Sequence, residues 1–512
     1  MMAGKHERIH FLRAALLAAV VLVAWILASA AYALDVPPSH RAGELVTDAS
    51  PAGTAPSYET GTLYVPENRL AADSRLIGVG YARFKSPQPT GAPPIFLLAG
   101  GPGLTMLETF TENSPATQRR IKLWEEYSRI ADLVIIEQRG YTLRGDLLEL
   151  PLPASPLDRP GTVEADTRDW LALARGASAA HPGMDLRGYT VVQCADDVDD
   201  LRRALGYDRI SLLGASFGSQ WSFAVMRLHP QIVERVVLAA VEPLDFGYDM
   251  PSQVLTALQR IAFEADRDPA LKPYLPQGGL MAAAQAVRDR LDKAPVTVRV
   301  RDEATGKMQS VVLGLQDFQL ALVSHAQDAS VWPAFVLSLY HRHYAAWARE
   351  TIEQRKAGSM ALIAPLIDTS LGVSAAREHQ LRTDLATRMV GRWNFEAYLA
   401  SAPAWPTEDV GDELRIAVRN PTPIVFVHGD WDTSTPVENT LSMLPYFPNG
   451  RAVLVHRGQH TSAYQLLRRD PQASTAVLRF LRDGSTDDLP VTLAPPEVAF
   501  AAPDFPAPAA AN

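Results

Sequence analysis

The stretch Ile210-Ser211-Leu212-Leu213-Gly214-Ala215-Ser216-Phe217-Gly218 decides how the rest of the chain is read. It opens as an apolar run of strand type, centres on G-x-S-x-G, and continues as a helical pattern through Trp221 and Met226 to Leu228. A serine hydroxyl is a poor nucleophile unless it is held exposed beside a base, and a sharp strand-to-helix turn supplies that exposure. Glycines flank the serine because a Cβ at either position would collide with the neighbouring strand or helix. Ser216 is therefore the candidate nucleophile.

Working outward, residues 95–99, Leu133–Ile136, 236–240, 424–427 and 452–455 are short, almost wholly apolar runs, as expected of strands covered on both faces. Residues 58–66 and Leu76–Phe84 alternate instead and read as an antiparallel pair at a sheet edge. Helical patterns such as 118–130 and 194–205 lie between the apolar runs. This alternation predicts an α/β fold with a doubly wound, mostly parallel sheet, whose ligands sit at the carboxyl ends of the strands. Between Val241 and Pro421 the alternation gives way to mainly helical patterns, which read as an inserted helical cap over the site. The expected organisation is a targeting segment over 1–33, a linker over 34–56, a core in two parts (57–243 and 421–484), a cap over 244–420, and a Pro/Ala-rich, poorly ordered tail over 485–512.

The run 95–99 leads into Gly100-Gly101-Pro102-Gly103. A tetrahedral intermediate carries negative charge on the former carbonyl oxygen, and preset backbone N–H groups stabilise it. The amides of Gly101 and of Phe217, the residue after the nucleophile, are the expected donors. In the chain order Ser, Asp, His, the acid should follow the next buried strand, where Val427-His428-Gly429-Asp430-Trp431-Asp432 is found. Asp432 is preferred there to Asp430. His460, past the end of the last strand, is the candidate base, with Asp432 fixing its tautomer and stabilising its imidazolium. His428 and His456 read as packed or surface histidines.

The chain has 512 residues, 47% of them apolar and 21% charged, enough to bury a large core. Its formal charge of −9 argues against a nucleic-acid partner, which needs a cationic face. The single cysteine, Cys194, can form neither an intramolecular disulfide nor a Cys-rich zinc site, and reads as a small buried residue. No metal or organic cofactor is implied. Residues 1–33 place Lys5, Arg8 and Arg13 before an apolar run and end in Ala31-Tyr32-Ala33, the order of a secretory signal or an uncleaved N-terminal anchor. Either outcome puts the rest of the chain in the periplasm or outside the cell, with a membrane contact only through that segment if it is kept.

Together these motifs resemble α/β-hydrolases of the prolyl and tripeptidyl aminopeptidase type, including secreted members with a characteristic C-terminal region. The resemblance rests on Gly61-Thr62-Leu63-Tyr64-Val65-Pro66, Gly100-Gly101-Pro102-Gly103, Glu137-Gln138-Arg139-Gly140, Gly214-Ala215-Ser216-Phe217-Gly218 and Gly429-Asp430-Trp431-Asp432 with Thr435-Pro436. It spans residues 58–464. It departs from that pattern at Ala99, where such proteins carry a histidine, at Glu137, where they often carry aspartate, and at Thr142 and Arg144. The resemblance implies a serine peptidase releasing residues from the N-termini of short peptides. An esterase or amidase on small acyl compounds is the alternative, and a non-catalytic periplasmic binding protein the rival of another class. An exopeptidase must hold an ammonium group, which in a dry pocket calls for carboxylates. Glu242, Asp245, Asp249 and Glu264 early in the insertion, and Glu396 late in it, are the expected sources, with Glu242, Asp245 and Glu396 put first.

Overall fold

The computed structural model describes residues 40–50, 56–460, 462–495 and 497–508. The targeting segment expected over 1–33 lies outside the described residues. No helix among them is long and apolar enough to cross a membrane.

The strands are β1 (Leu45–Ala49), β2 (Glu59–Pro66), β3 (Leu76–Phe84), β4 (Ile95–Leu98), β5 (Leu133–Ile136), β6 (Glu149–Leu152), β7 (Ile210–Ala215), β8 (Val233–Ala239), β9 (Val296–Arg301), β10 (Met308–Leu313), β11 (Gly358–Ala361), β12 (Ile424–Gly429), β13 (Gly450–Val455) and β14 (Thr492–Leu493). Ten of them form one sheet in the order β1-β2-β3-β5-β4-β7-β8-β12-β13-β14. From β5 to β14 the pairing is parallel, and β1, β2 and β3 add an antiparallel edge. The expected mostly parallel α/β sheet is thus the observed one.

Burial explains why its strands are so apolar. All four residues of β5 are buried: Val134 and Ile136 join one hydrophobic cluster, Leu133 and Ile135 the other. The first cluster packs the sheet against helices Val163–Ala180, Val191–Ala204 and Phe217–Leu228; the second packs it against Pro115–Ser128 and Pro471–Asp483. A strand sandwiched in this way has no solvated face, so its alternation disappears from the sequence.

Between β8 and β12 the chain is mainly helical, as expected, with Pro251–Ala265, Gly279–Lys293 and Leu315–His325 surrounding a third cluster that includes Leu258, Val287, Phe318 and Trp332. It also holds the β9–β10 hairpin, and its β11 pairs with β6 of the core. Two stretches differ from the expectation. The segment read as a linker contains β1, which pairs with β2 through residues 45–49. The Pro/Ala-rich tail supplies β14 to the sheet edge and then packs on the cap, with Phe500 stacked on Trp431 and Phe505 on His343.

Candidate active site

Parallel pairing brings the C-terminal ends of β4, β7, β8, β12 and β13 to one rim. At the end of β7 the chain turns through Ser216, at φ 56° and ψ −132°, directly into helix Phe217–Leu228. Such a conformation is strained for a residue with a side chain and needs its surroundings to hold it. Here the Ser216 amide donates to the carbonyls of Ala239 and Ala240 at 3.1 Å, and Ser219 Oγ donates to the Ser216 carbonyl at 2.6 Å. The two flanking glycines are demanded sterically. A Cβ at Gly214 would stand 2.3 Å from the Gly218 carbonyl oxygen, and one at Gly218 2.2 Å from that of Leu98. Ala215 is exposed and Ser216 partly so, which leaves the hydroxyl open to a ligand.

The glycine loop after β4 passes beside this turn. A Cβ at Gly100 would lie 3.5 Å from Ser216 Cβ and 4.0 Å from its Oγ. Gly101 takes φ 114°, a value that suits glycine. The amides of Gly101 and Phe217 donate to no acceptor among the described residues. Phe217 opens its helix, where unsatisfied N–H groups and the helix dipole both favour negative charge.

Beyond the ends of β12 and β13 the acid and the histidine are joined. His460 Nδ1 lies 3.0 Å from Asp432 Oδ2 and 3.2 Å from Oδ1. Asp432 is 1% exposed and also accepts from the amides of Ser434 (2.9 Å) and Thr435 (2.8 Å) and from Thr435 Oγ1 (2.9 Å). Burial opposes its ionisation, but the hydrogen bond and positive potential of His460, with His428 Nε2 lying 3.5 Å away, win, so its carboxyl titrates below the usual carboxylate range. For His460 burial disfavours the cation, yet the hydrogen bond and charge of Asp432 outweigh it and raise the imidazole. Asp430 faces elsewhere: it accepts from the Arg457 amide at 2.7 Å and pairs with His456 at 2.8 Å. His428, fully buried, donates from Nε2 to the Thr435 carbonyl at 2.6 Å and so braces the acid's own loop. No hydrogen bond between Ser216 Oγ and His460 is present among the described residues; the two follow β7 and β13 on the same rim.

Three carboxylates have no hydrogen-bonding or ionic partner among the described residues: Glu242 and Asp249, which feel the charge of Asp432, and Asp368, which acts on Glu242. Burial pushes Asp368 up to about 7. Asp249 rises to about 8, through burial and then the charge of Asp432, against the positive potentials of Arg377 and His460. Glu242 is pushed well above its ordinary value by burial and by the charges of Asp249, Asp368 and Asp432. Its amide donates to Ser219 Oγ at 2.8 Å, which ties it to the Ser216 turn. All three keep partial exposure. Asp249, with Val254, Leu320, Trp393, Thr433 and Ser434, lines a cavity of about 240 Å³.

The other acidic residues singled out in the sequence are engaged. Asp245 accepts from the amide (2.5 Å) and hydroxyl (2.7 Å) of Ser374. Glu396 pairs with Arg382, and Glu264 with Arg457 and His456. Asp368 escapes sequence reasoning. Its one signal is a lone charge inside the apolar helix Ile363–Leu371.

A family model described as the alpha/beta hydrolase fold matches residues 170–463, more than half of the chain. Among solved structures, the chain is similar to a thermophilic esterase from Thermogutta terrifontis, at 16% identity and a TM-score of 0.34 over 82% of this chain and 99% of the other. It is similar to a bromoperoxidase from Bacillus anthracis at 13% identity and a TM-score of 0.35, over 82% and 100% of the two chains. For a serine hydrolase from the polyaromatic-hydrocarbon-degrading bacterium Cycloclasticus zankles the values are 10% and 0.34, over 86% and 100%. Among curated proteins, none matches.

Proposed function

The chain belongs to the alpha/beta-hydrolase family, and from that premise we propose that it is a serine hydrolase that works through an acyl-enzyme and releases residues from the N-termini of short peptides. Ser216 Oγ attacks the scissile carbonyl, and His460 Nε2 takes its proton and passes it to the leaving amine. The amides of Gly101 and Phe217 hold the oxyanion. Water then attacks the ester, with His460 again as base. Asp432 fixes the imidazole with its proton on Nδ1 and stabilises the cation that forms. The observation that carries the reading is the buried Asp432 bonded to His460 on the rim that also displays Ser216. The basic-then-apolar order of residues 1–33 supports an exported enzyme.

Glu242, Asp249 and Asp368 turn the reading toward peptides. Unpaired carboxylates beside a catalytic pair are costly unless a cation joins them, and a substrate's α-ammonium is such a cation. A second reading, an esterase or amidase on neutral acyl compounds, is favoured by the same groups in their protonated state. With Asp368 at about 7 and Asp249 at about 8, these two carboxylates are only partly ionised at neutral pH.

Aminoacyl and dipeptidyl amides assayed against their N-acetylated forms and short-chain esters separate the two. The peptidase reading expects acetylation to lower kcat/KM on the order of 100-fold or more, since it leaves buried charge unpaired. It also expects KM for free-amine substrates to fall as pH rises from 6 toward 7, because deprotonation of Asp368, and in part of Asp249, supplies the anion while the α-ammonium, at about 8, keeps its proton. Turnover confined to acetylated substrates and esters overturns it in favour of the second reading.

A further inference from the structure

We propose that Gln138 is a positioning residue that sets the place of the Gly101 amide, a role that rests on the serine-hydrolase reading above. Glu137-Gln138-Arg139 leave the rim directly after β5, which pairs in parallel with β4, so they emerge beside the glycine loop. All three are polar or charged and almost completely buried. Gln138 Oε1 accepts from the Gly103 amide at 2.6 Å, and Nε2 donates to the Gly100 carbonyl at 2.9 Å. A backbone N–H only donates and a carbonyl only accepts, so the amide can face only one way. The two bonds close on either side of Gly101, whose own N–H has no acceptor among the described residues.

Gly100, Gly101 and Gly103 have the widest conformational choice in the chain, and without a clamp their amides would sample many directions. An oxyanion donor works only if it is aimed before the charge appears. Gln138 supplies the clamp, and its neighbours fix Gln138. Arg139 donates to both oxygens of Asp197 (2.8 and 2.5 Å) and to the carbonyls of Glu67 (2.7 Å) and Gly188 (2.8 Å). Glu137 accepts from the Leu107 amide (3.0 Å), the Leu143 amide (3.2 Å), Thr142 Oγ1 (2.6 Å) and Thr105 Oγ1, gripping the far side of the same loop. Gln138 acts only through the loop it holds.

The test uses the full chain with Gln138→Met, which keeps the length and removes both bonds, and Gln138→Glu, which keeps the acceptor for the Gly103 amide and loses the donor to Gly100. Each is assayed on p-nitrophenyl butyrate and with a trifluoromethyl ketone, whose adduct carries the oxyanion. Gln138→Met is expected to lose on the order of 10–100-fold in kcat with KM within about threefold, and to bind the ketone more weakly by the same factor as kcat/KM falls. Gln138→Glu is expected to recover toward wild type, in the variant-to-wild-type ratio, as falling pH protonates the new carboxyl and restores a donor. A kcat and ketone affinity within about twofold of wild type in both variants, or a loss confined to KM, overturns the role. A wild-type protein that neither cleaves the ester nor is labelled at Ser216 by a fluorophosphonate overturns the hydrolase reading itself. Labelled wild type with fully active variants removes only the positioning role.

Discussion

Asp432 is buried yet ionised because four donors converge on it: the amides of Ser434 and Thr435, the Thr435 hydroxyl and His460 Nδ1. Asp432→Asn keeps the shape but puts an amide where the imidazole's Nδ1–H must be accepted. Turnover should fall by about 10³–10⁴-fold with little change in melting temperature. Asp430→Asn, which disturbs only His456 and the Arg457 amide, should keep most activity, and equal losses would contradict the assignment. The pH profile carries the same sign. His460 must be neutral to act as base, and Asp432 raises its pKa, so kcat/KM should fall on the acid side through a value above the ordinary imidazole figure of about 6.5. In Asp432→Asn that limb should move down, since the desolvation remains and the anion is gone. At this scale the turn at Ser216 and the contact between Asp432 and His460 are legible in the sequence because each residue follows an apolar strand. The partners of the other acids are not, since Asp245 meets Ser374 and Glu396 meets Arg382 only in the folded chain.

The strands are the most readable elements, because burial on both sheet faces leaves short runs that helices or turns must interrupt. β8 starts at Val233, earlier than the run beginning at 236, because Glu234 and Arg235 keep their polar ends partly exposed while their backbone joins the sheet. The tail was obscured by composition. Its Pro and Ala residues give no period, yet the Leu454 amide donates to the Val491 carbonyl at 2.9 Å, the His456 amide to that of Leu493 at 2.8 Å, and the Tyr274 hydroxyl to that of Phe505 at 2.9 Å. Phe500 and Phe505 supply the apolar anchors. Replacing both by Ala should lower stability by about 2–4 kcal/mol in chemical denaturation, scaled to their partial burial. An unchanged midpoint would mean that the tail is held by its backbone alone.

The whole molecule makes what no element holds. The described residues between 43 and 508 form one compact unit, and Trp431, next to Asp432 in sequence, packs in the hydrophobic cluster of the cap. Glu242 leaves β8, Asp249 precedes the first cap helix, and Asp368 sits in Ile363–Leu371, so the acidic cluster exists only where core and cap meet. This explains why the sequence offered acids by position and the fold selected among them. The proposed chemistry requires Ser216 to be a nucleophile activated by His460. Fluorophosphonate labelling of the native protein, mapped by mass spectrometry and repeated on His460→Ala, tests that most directly. The adduct is expected on Ser216 in the wild type and nearly lost in the variant. An adduct on another residue, or equal labelling of both proteins, would contradict it.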